Sequence, residues 1–324
     1  MSHQLNNSPT QQTLKIMSIT RQAIMLIGFG GPASPKEVRP FLESVLRGSK
    51  ISQARFDEVL KHYEAIGGVS PYNAATFRQE KALERWLEDH DLNLPVLVGF
   101  SHSKPSFKDV FLSLKEKKIE RVIGVVLSPL RSYASFDKYL ARLEEAKKEA
   151  GADSIAMSYT GSFYNDPLFI EAQAARVEEI LNRLSKEERS KIFLLFSAHS
   201  IPDMMSQESG YAEQFIEVTA LVSKRLGIKN GGLAYQSRSG NPSDAWLSPD
   251  IKETIATIDR EKFQTLVLVP AGFLNENAEI LYDLDIDARQ KAKKFGLRYL
   301  RAAAVADHPK FIEMIGRSIL CASR

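Results

Sequence analysis

The sequence predicts a doubly wound α/β fold with two sheets of four parallel strands each. Short apolar runs rich in β-branched residues alternate with longer charged amphipathic segments, the order expected of strands joined by crossover helices. The runs are apolar throughout rather than alternating, as they must be when helices cover both faces of a parallel sheet.

The expected strands are Ala23–Phe29, Val96–Phe100, Val122–Leu127, Ile155–Tyr159, Ile192–Ser197, Gly232–Gln236, Thr265–Val269 and Leu297–Arg301. Amphipathic stretches between them, such as Pro35–Arg47, Thr76–His90, Ser135–Ala150, Pro167–Leu184 and Ala212–Leu226, predict helices. The pattern breaks at Tyr159–Asp166, where Gly161 and Asn165 precede Pro167. This break separates a first lobe, 21–162, from a second, 163–324. Residues 1–20 are polar, lack the apolar core of a signal peptide, and are expected to be disordered. Each lobe opens with a strand that runs into a turn, GFGGP at Gly28–Pro32 and SAHSIP at Ser197–Pro202. The two lobes are expected to face one another across a cleft, with ligands beyond the carboxyl ends of the strands.

Composition narrows the function. With 324 residues, 44% hydrophobic and 26% charged, the chain can bury a substantial core. A net charge of +3 without clustered Lys and Arg argues against a nucleic-acid partner. The single cysteine, Cys321, excludes an intramolecular disulfide, a cysteine-rich zinc site and an iron–sulfur cluster, and it fits a cytoplasmic protein. No apolar stretch approaches the roughly 20 residues needed to span a bilayer.

His199 follows the apolar run IFLLFS at the expected ligand edge. An imidazole there could accept protons near neutral pH or ligate a metal; the alternative is a capped loop histidine. Glu279, Asp283 and Asp287 recur at i, i+4 and i+8, so a helix would stack the three carboxylates on one face. Such a row either faces solvent or offers oxygen ligands to a hydrated divalent cation. GFGGP lacks dinucleotide-binding spacing, and no GxSxG elbow supports a hydrolase. Arg238 and Trp246 lie in a polar loop after a strand, where they could meet a carboxylate and form an apolar wall.

These motifs together resemble the ferrochelatase family. FGGP, YEAIGGVSP, LLFSAHSIP, LAYQSR, WLSPD, LVPAGF with LYDLDID, and DHPKFIEMI occur in the family's order across Ala23–Ile315. The resemblance implies two Rossmann-like (flavodoxin-like) lobes around a porphyrin cleft. It implies a catalytic pair, His199 and Glu279, with Asp283 and Asp287 continuing a metal row. It places Ser70, Gln236, Ser237 and Trp246 against the porphyrin. Phe41, Leu42, Val45 and Leu46 match an apolar lip that could touch a membrane surface peripherally, at its inner face.

The chain departs from the family pattern at several points. Asn277 stands where relatives commonly carry histidine, and Ser209, Gly210 and Tyr211 replace Gly-Asp-Pro-Tyr. The loop SPLRSYAS puts Arg131 near the expected pocket. Ala33 replaces a tyrosine typical of coproporphyrin-using members, which favours protoporphyrin IX. His102 is either an outer metal ligand or a satisfied loop histidine. The reading is therefore a monomeric lyase that inserts ferrous iron into protoporphyrin IX for heme biosynthesis, with iron as substrate and no permanent cofactor. The alternatives are a tetrapyrrole-binding paralogue with weakened insertion, or a chelatase for coproporphyrin III or sirohydrochlorin.

Overall fold

The computed structural model describes residues 21–47, 52–239 and 244–322, so the expectation for 1–20 lies outside the described residues. Strands β1 (Gln22–Gly28), β2 (Val96–Phe100), β3 (Arg121–Val126) and β4 (Ala156–Tyr159) form one sheet in the order β2-β1-β3-β4. Strands β5 (Ile192–His199), β6 (Gly231–Gln236), β7 (Thr265–Val269) and β8 (Arg298–Arg301) form the other in the order β6-β5-β7-β8. All pairings are parallel, and the two sheets share one topology.

Successive side chains of a strand point to opposite faces, so the continuous apolar runs feed two layers of core at once. In β1, Ala23, Met25 and Ile27 pack against Phe107, Phe111 and Leu143. Ile24 and Leu26 face the other way, into a large cluster that also takes Leu194, Phe196 and Ala198 of β5. The two lobes are therefore joined by common apolar packing. The last helix, Pro309–Ala322, contributes Phe311, Ile312, Met314, Ile315 and Ile319 to this cluster and packs on helices Tyr72–Glu88 and Pro167–Leu181. Gly316 allows its close approach, since a Cβ there would lie 2.1 Å from the Trp86 ring.

Polar groups also bridge the lobes. Buried Asn275 donates to Thr76 Oγ1 at 3.2 Å and to Gln79 Oε1 at 3.1 Å, and Gln79 donates to the Ala306 carbonyl at 3.0 Å. Such bonds are directional, so they fix register where apolar packing alone would tolerate slippage.

Three helices differ from expectation. Pro35–Arg47 divides into a 3₁₀ turn, Pro35–Glu37, and helix Val38–Val45. Ser135–Ala150 opens with a π-turn, Tyr133–Asp137, ahead of helix Lys138–Glu149. The segment after Glu279 is π-wound over Ile280–Ala288 before continuing as Arg289–Lys294. There the Arg289 amide reaches back to the Leu284 carbonyl, which also accepts the Tyr299 hydroxyl at 2.7 Å. Wider winding of this kind often marks functional segments.

Candidate active site

A cleft of about 380 Å³ opens beyond the carboxyl ends of the strands. Phe29 and Gly30 line it after β1, Leu127–Leu130 after β3, His199 and Ile201 at the end of β5, and Gly272–Asn275 after β7. Phe41, Tyr63, Tyr139 and Tyr211 close its walls. Gly30 has φ +91° and no room for a side chain, because a Cβ would meet Ser103 at 2.6 Å. Asn73 holds this turn from helix Tyr72–Glu88 through reciprocal 2.9 Å bonds with the Gly31 amide and carbonyl.

His199 ends β5 opposite Gln236, two residues beyond the expected end at Ser197. Its Nδ1 is 2.6 Å from the Ser200 carbonyl, and its Nε2 is 3.3 Å from Glu279 Oε1. A carbonyl only accepts, so Nδ1 carries a hydrogen in either protonation state. When the ring is neutral, the Nε2 lone pair faces the cleft and Glu279. Burial works to lower the His199 pKa. The Glu279 charge and hydrogen bond, the Ser200 carbonyl and the Asp283 charge outweigh it, raising the pKa to about 9.

Glu279 immediately precedes the π-wound residues Ile280–Ala288, and Asp283 follows on the side of Ser237. Ser237 has φ +63°, a left-handed backbone uncommon for serine, and donates its hydroxyl to Asp283 Oδ2. Burial pushes the Asp283 carboxyl up to about 6; the Ser237 bond and His199 oppose this, while Glu279 and Asp287 reinforce it. Asp287 sits further along, with Lys252 Nζ 3.4 Å away. The back of the same segment is pinned elsewhere: Arg301 grips Asp285 through two bonds of 2.7 and 2.8 Å, and reaches Glu276 at 2.9 Å.

The remaining expected site residues are dispersed. Ser70 is buried and lines the cleft beside Tyr72. Gln236 is buried next to Ser237, and its Oε1 has no hydrogen-bond partner among the described residues. Trp246 is half-buried, bridges Pro202, and likewise has an unpartnered Nε1 among the described residues. Arg131 lines a separate cavity of about 190 Å³, where its guanidinium lies over Phe136 and pairs with Asp137 at 3.0 Å. That cavity meets the main cleft only through Ser128, which lines both.

His102 is a satisfied loop histidine. Ser44 Oγ lies 3.0 Å from its Nδ1, and the Arg142 guanidinium engages its Nε2. Burial and the charges of Arg142, Lys138 and Arg47 hold its pKa down to about 3. Of the apolar lip, Phe41 and Leu42 are buried against Val38 and Tyr63, while Val45 and Leu46 are half-buried. Phe41 and Val45 thus face the cleft. No described helix is long and apolar enough to cross a membrane.

Sequence reasoning did not single out Tyr63, Tyr139 or Tyr211 as cleft residues. Tyr211 donates to the His199 carbonyl at 3.1 Å, which links it to the site backbone. Tyr63 lies within YEAIGGVSP and Tyr211 ends the segment that replaces Gly-Asp-Pro-Tyr, signals that were available; nothing local distinguishes Tyr139 from ordinary core aromatics.

Two lobes with matching four-stranded sheets thus meet at a cleft beyond their strand ends, where a histidine faces a carboxylate. The fold agrees with that of the Bacillus subtilis sirohydrochlorin chelatase SirB: one of its structures, solved with Fe³⁺, gives a TM-score of 0.59 at 13% identity, covering 94% of this chain and 96% of that one. The cobalt complex of SirB from B. subtilis subspecies spizizenii gives 0.54 at 14% identity, with 93% of each chain covered. In sequence, the family model for ferrochelatase matches residues 21–321, and the chain belongs to the ferrochelatase family. A ferrochelatase of Rhodopirellula baltica is 35% identical over 90% of this chain and 84% of its own length. A coproporphyrin III ferrochelatase of Nocardia farcinica is 30% identical over 91% of this chain and 86% of its own.

Proposed function

We propose that this chain inserts ferrous iron into protoporphyrin IX, with His199 and Glu279 as the reacting pair and Asp283 and Asp287 handling the metal. The observation that carries this reading is the His199 Nε2–Glu279 contact at the foot of an apolar cleft. Metallation places one Fe²⁺ in the ring and releases the two pyrrole protons. In its neutral form, the minor one in the ligand-free protein at neutral pH, His199 can take one of them at Nε2, because Ser200 keeps the other hydrogen on Nδ1, and the second leaves to solvent. Glu279 stabilises the resulting imidazolium, and Asp283 and Asp287 supply oxygen ligands for a cation shedding water. The aromatic walls would hold the macrocycle where these groups meet it.

Protoporphyrin IX is supported by Ala33, which stands where the resemblance leads one to expect tyrosine in coproporphyrin-using members. Insertion into coproporphyrin III is the second reading, favoured by the names of relatives such as those of Nocardia farcinica and a Geobacillus species. Anaerobic assays with both porphyrins side by side decide between them: a higher kcat/KM for protoporphyrin IX supports the first, the reverse order the second.

A further inference from the structure

Ser237 follows the last residue of β6, and the chain turns there. Its φ of +63° lies in the left-handed region, which disfavours any residue that carries a Cβ. Glycine would adopt that conformation freely, yet the position holds serine. The Ser200 amide donates to the Gln236 carbonyl at 2.8 Å and fixes the end of β6 beside His199. The left-handed turn then carries the Ser237 hydroxyl to Asp283 Oδ2. Ser237 is not among the described residues that line the cleft.

This bond is the only one made to the Asp283 carboxylate among the described residues. The carboxylate is half-buried, and the charges of Glu279 and Asp287 on the same segment repel it. A carboxylate so placed is driven towards solvent unless a donor holds it. The Asp283 charge in turn acts on His199. A hydroxyl has one hydrogen, so the hydrogen spent on Asp283 is not free for a porphyrin side group. Gln236, 1% exposed, stands behind with its Nε2 3.4 Å from Ser237 Oγ, and an amide nitrogen only donates. We propose that Ser237 is a positioning residue whose hydroxyl holds the Asp283 carboxylate beside the His199–Glu279 pair and takes no part in gripping the porphyrin. Its effect on turnover rests on the insertion reading; its bond to Asp283 does not.

Urea unfolding, protoporphyrin IX affinity by fluorescence, and anaerobic Fe²⁺ insertion together test the proposal. Ser237→Ala is expected to lower the urea midpoint of the wild type and to leave that of Asp283→Ala unchanged. Ser237→Gly loses the same hydroxyl but is at ease in the left-handed turn, so it should unfold at higher urea than Ser237→Ala. Both variants are expected to lose turnover roughly tenfold, as for a lost hydrogen bond to a charged group, with porphyrin affinity near that of wild type. An equal fall of the midpoint in the Asp283→Ala background, or a markedly weakened porphyrin affinity, overturns the proposal. Absence of insertion by the wild type would instead break the functional reading, while the unfolding comparison still decides the tie to Asp283.

Discussion

Asn277 Oδ1 accepts the Ile280 amide at 2.9 Å, and so caps the π-wound segment that begins the acidic row. The first amides of a helix have no partner within it, and asparagine is among the side chains best suited to supply one. Two residues before Glu279, where the family resemblance implies histidine, this chain thus has an architectural group. Asn277→Ala is expected to cost about 1 kcal/mol, read as a lower urea midpoint. Asn277→His should lose the cap as well, without a large rise in turnover, because the His199–Glu279 contact does not involve residue 277. A tenfold rise in turnover with histidine would show that the asparagine limits the chemistry.

The protonation of His199 gives a second prediction. With its pKa raised to about 9, the ligand-free protein holds His199 as imidazolium at neutral pH. Burial acts to lower that value, so removing the Glu279 charge leaves the lowering effect unopposed by its chief counterweight. In Glu279→Gln the imidazole midpoint, followed by NMR, is expected to fall. The sign for stability follows: a pKa raised above the unfolded value of about 6.5 stabilises in full below that pH. The contribution fades as pH rises through about 9. The wild type's stability advantage over Glu279→Gln should therefore narrow across that window.

Arg301 supports the row from behind. Its side chain is 13% exposed, and it neutralises Glu276 and Asp285, which are 24% and 21% exposed. Arg301→Met leaves two poorly solvated carboxylates side by side, and a loss of about 3 kcal/mol is expected in urea unfolding. A change below 1 kcal/mol would mean that the segment is held by packing alone.

Gly316 tests how the last helix joins the lobes. With 2.1 Å between a Cβ and the Trp86 ring, Gly316→Ala must push helix Pro309–Ala322 away from Tyr72–Glu88. A loss of about 1–3 kcal/mol is expected, and Trp86→Leu, which opens the space, should recover part of it.

The strands were the most legible feature, because runs such as IFLLFS and TLVLV are apolar on both faces and therefore unambiguous. Strand β5 nevertheless continues through His199, since its backbone still pairs with Gln236. The residue pattern of the acidic row did not reveal its π winding, because nine residues are too few to separate i+4 from i+5 bonding. Spacing also could not tell which acids share a role: Glu279 and Asp283 lie near His199, whereas Glu276 and Asp285, interleaved with them, belong to Arg301. Arg131 shows the same limit from another side. A loop can be placed at a cleft by its strand, but Asp137 and Phe136 turn this guanidinium into a neighbouring cavity. The Asn275–Thr76–Gln79 bridge joins residues nearly two hundred positions apart and has no local signature.

The central claim is that His199, set against Glu279, performs metal insertion. It is tested most directly by anaerobic insertion of Fe²⁺ into protoporphyrin IX, followed by absorbance, with wild type and His199→Ala assayed together. Turnover by the wild type that is lost in His199→Ala, with porphyrin binding retained, is the predicted result. Equal turnover in the two proteins, or tight porphyrin binding by the wild type without insertion, would contradict it.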